Sequence, residues 1–175
     1  MVEIPSRPVK VGVLLDRVPG DLTAWLADAA AFDAGGADAL WVDCEPDPLL
    51  DVVALTAALA VVTHRARLVV ALPEKTPAFP SLHTIVRLTR GRLALIADSG
   101  DPAVFRRDAE VYENADERWL PVPVPDGREA WQEVRSDAAA RGFTGLVVPV
   151  DPRVLDLLRN PDDPGDRRDL QLAQG

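Results

Sequence analysis

Short apolar runs alternate along this chain with longer segments in which apolar residues recur every three or four positions. The short runs contain mostly Val, Leu and Ile, which is typical of strands buried on both faces, and the longer segments have the spacing of an α-helix. The pattern predicts strands over residues 9–15, 40–42, 67–72, 93–97, 118–124 and 145–150, and helices over residues 22–34, 48–62, 82–90, 102–114, 128–141 and 151–158. Strands that alternate with helices in this way indicate a parallel α/β sheet.

Capping residues and prolines add detail to these elements. Asp21, Ser81 and Asp151 stand where helix N-caps are expected, because a short polar side chain can accept hydrogen bonds from the first backbone N–H groups of a helix. The second helix is apolar on most sides, so we expect it to pack between two neighbouring helices. Pro121 and Pro123 remove backbone donors along one side of the fifth strand. They predict that this strand lies at a sheet edge.

Polar side chains follow two of the predicted strands. Asp43 and Cys44 come directly after the buried strand 40–42, and Asp98, Ser99 and Gly100 follow the fourth strand. The carboxyl ends of parallel strands lie at one end of a sheet, which is where α/β proteins bind their ligands. We therefore expect Asp43, Cys44, Asp98 and Ser99 on one rim. Asp43 and Cys44 are the candidate catalytic residues there.

Each of these residues also has an ordinary structural interpretation. Free cysteine is most often a small buried apolar residue, and an aspartate at a strand end is often a helix cap. Residues 98–100 could form a solvated turn that caps the next helix. His64 is expected at the surface near a helix C-terminus, and His83 is expected to be structural.

Composition limits the possible functions. The 175 residues are 47% hydrophobic and 27% charged, which suits one domain, placed at residues 1–159, with a mobile acidic tail at 160–175. The net charge of −9 argues against nucleic acid or an anionic membrane as a partner.

One Cys and two His give no metal-ligand spacing, so no metal is expected. The longest apolar stretch is too short to span a bilayer, and the N-terminus does not resemble a signal peptide, so a cytoplasmic location is expected.

Three phrases of the sequence resemble the bacterial-luciferase-like family of flavin- or deazaflavin-dependent monooxygenases and reductases. They are AFDAGGADALWVD at 31–43, DPLLDVVALTAALAVVTHRARLVVAL at 47–72 and LTRGRLALIADSG at 88–100. Together they cover about half the chain in the order that the family has. The resemblance implies a (β/α)8 barrel, FMN or a deazaflavin as the cofactor, and oxidoreductase chemistry at the C-terminal ends of the strands.

The chain departs from the family pattern at several positions. Cys44 stands where family members often have His. Asp98, Ser99 and Gly100 stand where the family has a glycine-rich turn under the flavin, so the resemblance makes them candidate cofactor-binding residues. A later turn that helps to hold the cofactor phosphate aligns with residues 124–127, so the resemblance makes Gly127 and Arg128 further candidate cofactor-binding residues. Asp126 in that turn would repel a phosphate.

The chain is also short for this family, because a complete barrel of this type needs roughly 250 residues. The sequence therefore predicts an incomplete, TIM-barrel-like fold with about six parallel strands. Open sheet edges and apolar helices would favour a homodimer.

Two functions follow from the resemblance and its departures. The chain is either a luciferase-like oxidoreductase with a degenerate cofactor site or a noncatalytic binding or assembly protein that kept the fold. Fold alone does not decide between them. We expect free FMN or deazaflavin to bind weakly or not at all, although a small-molecule ligand is compatible with either function.

Overall fold

The computed structural model describes residues 8–15, 20–42, 50–71, 79–108 and 111–160. Its strands are β1 (Lys10–Leu14), β2 (Ala39–Val42), β3 (Arg67–Ala71), β4 (Leu93–Ile96), β5 (Arg106–Asp108), β6 (Val111–Glu113), β7 (Arg118–Pro121) and β8 (Gly145–Pro149). Its helices are α1 (Leu22–Gly35), α2 (Val52–Val62), α3 (Phe79–Thr89), α4 (Gly127–Ala140) and α5 (Pro152–Arg159). None of these helices is long and apolar enough to cross a membrane. The predicted tail lies outside the described residues from position 161 onward.

The eight strands form one sheet that curls into a nearly closed barrel. They are hydrogen-bonded in the order β4-β3-β2-β1-β8-β7-β6-β5. A parallel bridge between Ile96 and Phe105 then joins the two ends of that order. At this seam the Phe105 N–H donates to the Leu95 carbonyl at 2.8 Å, and the Ala97 N–H donates to the Phe105 carbonyl at 3.0 Å. The sheet therefore lacks the two fully open edges that the sequence had led us to expect.

The predicted TIM-barrel-like α/β fold is confirmed. The six strands expected from the sequence are β1 to β4, β7 and β8, and they pair with one another in parallel wherever they are neighbours. In the described part of the chain, only β6 runs against its neighbours, since it pairs antiparallel with both β5 and β7. The C-terminal ends of the other strands therefore lie at one end of the barrel.

The helix predicted over residues 102–114 is wrong. That segment contains β5 and β6, which form a hairpin with Arg107 paired to Tyr112. Phe105 and Tyr112 point into the barrel and are fully or almost fully buried there. Burial of these two rings in the barrel overrides the local helical preference, because β-structure depends mainly on how side chains pack with their neighbours.

The edge position predicted for the fifth strand is also wrong, because β7 pairs with β6 on one side and with β8 on the other. The Val122 N–H donates to the Val147 carbonyl of β8. Backbone groups of successive residues point to opposite sides of a strand, so the donors missing at Pro121 and Pro123 face the β6 side. Pairing with β6 ends at Trp119, so these prolines interrupt no bond of the described ladder.

Most of the predicted helices are present with small shifts at their ends. Asp21, Asp51 and Asp151 cap α1, α2 and α5 by accepting backbone N–H groups. The expected start of the second helix at Pro48 lies outside the described residues, and the described helix begins at Val52. Ser81 lies inside α3, which begins two residues earlier, so its predicted capping role is wrong.

Two apolar layers hold the barrel together. The larger layer lies between the sheet and the helices, and α2 packs between α1 and α3 as expected. The smaller layer fills the barrel and contains Trp41, Phe105, Tyr112 and Trp119. Gly12 and Gly145 make room for it, since a Cβ at either position would overlap a tryptophan ring.

The barrel has no described helix between β4 and α4. A row of charged side chains lies instead on the outer face of the strands there. Glu113 on β6 pairs with Arg106 on β5 at 3.6 Å and with Arg118 on β7 at 3.7 Å. Charged side chains therefore cover the outer face of β5, β6 and the start of β7, where the described chain has no helix.

Candidate functional site

The C-terminal end of the barrel is the place where this fold would hold a ligand. The described inward-facing positions at this end are Leu14, Ala71, Arg107, Pro121 and Pro149. Arg107 is the one charged residue among them. Its guanidinium carbon lies 5.9 Å from the centre of the Tyr112 ring, within the range of a cation–π contact.

Four aromatic rings form the floor below this end. The ring of Trp41 lies at the centre of the group, at 5.3 Å from Phe105, 4.6 Å from Tyr112 and 5.4 Å from Trp119, measured between ring centroids. Offset and edge contacts of this type stabilise a packed core. The Nε1 atom of Trp41 is buried and has no hydrogen-bond partner in the described part of the chain. The floor is therefore rigid and apolar.

Asp43 and Cys44, the predicted catalytic residues, lie outside the described residues. The strand that precedes them ends at the expected end of the barrel, because β2 runs parallel to β1 and β3. Their chemistry stays a prediction. The described residues contain no group of three or more side chains suited to hold a metal ion.

Asp98, Ser99 and Gly100 follow β4 at the rim, and the Ser99 side chain bonds within the loop itself. The Ser99 hydroxyl accepts the Asp101 N–H at 3.1 Å, and the Asp101 carboxylate accepts the Ala103 N–H at 2.9 Å. Ser99 and Gly100 line a cleft of about 260 Å³ with the outward-facing Arg106 and with Asn114. The predicted cofactor-binding segment therefore faces the outside of the barrel, away from the aromatic floor.

Gly127 and Arg128 begin α4, and Arg128 is bound to α5. Its guanidinium donates to the Asp156 carboxylate at 2.6 Å and to the Asn160 carbonyl at 2.7 Å. Gly127 is exposed and has a φ of 88°, a conformation that favours glycine. Asp126 accepts a hydrogen bond from Arg153 of α5 at 2.9 Å. The predicted phosphate turn is thus tied to the last helix by two ion pairs.

Glu117 is a carboxylate whose pKa is strongly lowered in the folded chain. It lies at the N-terminal end of the barrel, where it accepts hydrogen bonds from Lys10, Arg67 and the Trp119 indole. Burial alone would raise the pKa of Glu117, but the bonds from Arg67 and Lys10 lower it to about 2. Sequence reasoning missed this cluster, since nothing local marks Glu117 as inward-facing.

A second buried carboxylate, Asp33 on α1, was also missed. Its two oxygens accept the backbone N–H groups of His64, Arg65 and Ala66 at 2.8, 2.9 and 2.6 Å. Burial opposes ionisation of Asp33, yet these three donors and the nearby Arg92 lower its pKa. The signal available in the sequence was weak, because α1 contains two aspartates, Asp28 and Asp33, of which Asp33 directly follows the apolar run 29–32.

The three phrases that resemble the luciferase-like family meet at this second carboxylate. Asp33 comes from the first phrase, residues 64–66 from the second and Arg92 from the third. The Arg92 guanidinium donates to the carbonyls of Ala60, Thr63 and Ala66 and so closes the turn between α2 and β3. Asp33 and Arg92 thus hold α1 and the turn between α2 and β3 together at the end of the barrel opposite the predicted cofactor site.

Comparison with known proteins adds little to this geometry. No family model matches the chain, and no curated protein matches it. Among solved structures, a ligand-free TrpA mutant of tryptophan synthase from M. tuberculosis is 15% identical, with 87% of this chain and 91% of that chain covered and a TM-score of 0.42. The aminoacrylate-bound form of tryptophan synthase from M. tuberculosis is 16% identical, with 86% and 68% covered and a TM-score of 0.33. Similarities this low carry no argument about function.

Proposed function

We propose that this chain is a noncatalytic binding or assembly protein built on a luciferase-like barrel whose cofactor site has degenerated. The observation that carries the proposal is the bonding of Arg128. Its guanidinium already donates to the Asp156 carboxylate and to the Asn160 carbonyl, so a cofactor phosphate would have to compete with these partners. The neighbouring Asp126 would add repulsion, since it lies in the turn that aligns with the family's phosphate turn.

The reversed direction of β6 supports the same proposal. The loop that follows β6 contains residues 114–117 and lies at the N-terminal end of the barrel, where Glu117 contacts Lys10. A (β/α)8 enzyme has a loop after every strand at the C-terminal end, and these loops build its active site. The C-terminal end of this barrel has one loop fewer to hold a cofactor.

A luciferase-like oxidoreductase that uses FMN or a deazaflavin is the second candidate, and Arg107 is the observation that favours it. This cation lies over Tyr112 at the C-terminal end of the barrel, above the aromatic floor. A planar ring with an anionic tail would find there an apolar surface and one positive charge. In that case Asp43 and Cys44 would supply the polar groups next to the ring.

We also propose that the protein acts in the cytoplasm as a homodimer. Open sheet edges are no longer a reason to expect a dimer, because the bridge at Phe105 joins the two ends of the sheet. Support comes instead from two exposed apolar side chains on adjacent helices. Val61 on α2 is 63% exposed and Val86 on α3 is 53% exposed, and α2 and α3 are in contact.

Titration of the purified protein with FMN and with a deazaflavin separates the two candidate functions. If the binding-protein proposal is right, flavin fluorescence is not quenched in a saturable way at micromolar protein. A dissociation constant below roughly 10 micromolar, about −7 kcal/mol, would contradict it. Arg107→Ala is the informative variant, because it weakens FMN binding only if the cofactor sits above the aromatic floor. Arg106→Ala, which removes an outward-facing arginine of the same strand, is the matched control.

A further inference from the structure

A groove of about 430 Å³ lies at the N-terminal end of the barrel, between α1, α4 and α5. Its origin is the length of the last helix: α1 and α4 have 14 residues each, whereas α5 has 8. At 1.5 Å per residue, α5 is about 9 Å shorter than its two neighbours. Among the described residues, the space that a longer helix would fill is unoccupied beside the start of β1. We call this space the α5 groove.

The walls of the α5 groove combine apolar surface with a few charged groups. Trp131 on α4 and Leu157 and Leu158 on α5 line it on the apolar side, and Leu158 is the most exposed of the three, since Trp131 and Leu157 are buried. The volume is within the range of about 300–1,000 Å³ that is usual for small-molecule sites, and such sites also combine apolar walls with a small number of polar groups. The groove is therefore large enough for a ligand with a short apolar body.

The α5 groove contains a cation that can bind an anion. Arg135 and Lys10 are the cations that line it, and Asp38 is the one anion. Arg135 is half-buried and has no hydrogen-bond or ion-pair partner elsewhere in the described chain. Lys10 is already paired with Glu117, and one oxygen of Asp38 accepts the Val11 N–H at 2.7 Å. Arg135 and Asp38 are thus the two charged groups of the groove without an ion-pair partner in the described chain, and Arg135 is the one that can bind an anion.

We propose that the α5 groove binds a small amphipathic carboxylate, with its carboxylate on the Arg135 guanidinium and its apolar body against Trp131 and Leu158. A guanidinium binds a carboxylate through two parallel hydrogen bonds, which fixes the orientation of the ligand. This site goes beyond the proposed function, because it lies at the opposite end of the barrel from the predicted cofactor site and requires no flavin.

The experiment uses phenylbutyrate as the probe and phenylbutanol as its uncharged counterpart. Each is titrated into the full-length 15N-labelled protein, and the indole N–H resonances of the four tryptophans are followed. Trp131 is the tryptophan that lines the groove. We expect the chemical shift of the Trp131 indole N–H to change in a saturable way with phenylbutyrate. Phenylbutanol should bind at least tenfold more weakly.

Three variants test the role of the charges. Arg135→Ala should raise the dissociation constant for phenylbutyrate about tenfold, because it removes a charge-assisted pair. Asp38→Asn should tighten binding, since it removes the nearby negative charge and keeps an oxygen that can accept the Val11 N–H. Arg87→Ala, on the exposed face of α3, is the control and should leave the affinity unchanged.

Several results would overturn the proposal. Equal affinity of the Arg135→Ala variant and the unmodified protein would mean that the carboxylate does not bind this guanidinium. A shift of another tryptophan without a shift of Trp131 would place the ligand elsewhere. Absence of saturable binding at millimolar phenylbutyrate would mean that the groove is closed to such ligands in the full-length protein.

Discussion

Glu117 closes the N-terminal end of the barrel by binding side chains from three different strands. Lys10 begins β1, Arg67 begins β3 and Trp119 lies within β7. The Glu117 side chain is only 12% exposed, so solvent screens these contacts weakly. A carboxylate in this position stabilises the barrel only while it is ionised.

The first prediction concerns the pH dependence of this contribution. The pKa of Glu117 is about 2 in the folded chain, whereas an unperturbed glutamate has a pKa of 4.5. Between about pH 2 and pH 4.5 the folded protein therefore binds fewer protons than the unfolded chain. The stabilisation is fully present above about pH 4.5 and is lost as the pH falls toward 2. At about 1.4 kcal/mol per pKa unit, the contribution at neutral pH is about 3 kcal/mol. In urea unfolding at pH 7, the free energy of unfolding of Glu117→Gln should be lower than that of the unmodified protein by about this amount.

Glu113→Gln is the control for this prediction, since Glu113 makes longer and more exposed ion pairs on the outer face. Its effect should be below about 1 kcal/mol. At pH 2 the difference between Glu117→Gln and the unmodified protein should shrink. A difference that is the same at both pH values would disprove the role of the ionised carboxylate.

A second prediction at the residue scale concerns Gly145. A Cβ at this position would overlap the ring of Trp119, whereas a Cβ at Gly100 would meet no atom within 4 Å. Gly145→Ala should therefore destabilise the fold by about 1–3 kcal/mol through overpacking, and Gly100→Ala should have little effect. Thermal unfolding of both variants provides the measurement. Equal melting temperatures would contradict the packing described for the barrel interior.

At the scale of elements, β4 and β5 are the neighbouring strands of the barrel with the fewest paired residues. One bridge joins these strands, whereas β1 and β8 pair over five residues. Phe105 supplies both backbone hydrogen bonds of the bridge, and its side chain is 0% exposed against Trp41. Closure of the barrel therefore depends on this one aromatic residue.

The third prediction follows from this dependence. Phe105→Ala should cost about 3–5 kcal/mol, as is usual for loss of a buried ring. It should also speed hydrogen exchange at the Ala97 amide, whose acceptor is the Phe105 carbonyl. Phe143→Ala is the control, because Phe143 is buried outside the barrel interior. If both variants speed exchange at Ala97 equally, Phe105 has no special role in closure.

At the scale of the whole molecule, closure of the barrel changes the argument for self-association. Open edges would drive pairing of any exposed strand, whereas an apolar helix surface gives a weaker and more specific contact. The exposed side chains of Val61 and Val86 belong to adjacent helices, α2 and α3. We therefore expect the dimer interface on these helices.

The fourth prediction tests this interface by sedimentation. At tens of micromolar, the protein should sediment as a species of about twice the chain mass of 18.9 kDa. The double variant Val61→Glu and Val86→Glu should sediment as a monomer, because it places like charges in the contact. Substituting the exposed Arg106 and Arg118 by Glu on the helix-free face is the control. A single species near the chain mass for the unmodified protein would rule out the homodimer.

The sequence by itself determined the six parallel strands and most of the helices, because both are encoded locally. Apolar runs, the capping residues Asp21 and Asp151, and helix-ending glycines act over a few positions and need no distant partner. The sequence also placed Asp98 and Ser99 at the C-terminal rim, since that follows from strand direction alone.

The tertiary structure decided the rest, because it depends on residues far apart in the chain. Lys10 and Glu117 are 107 positions apart, and Arg128 and Asp156 are 28 apart. The β5–β6 hairpin forms where Phe105 and Tyr112 can pack against Trp41 of a distant strand. No local pattern encodes such contacts, so closure of the barrel, the inward position of Arg107 and the bonding of Arg128 became visible only in the folded chain.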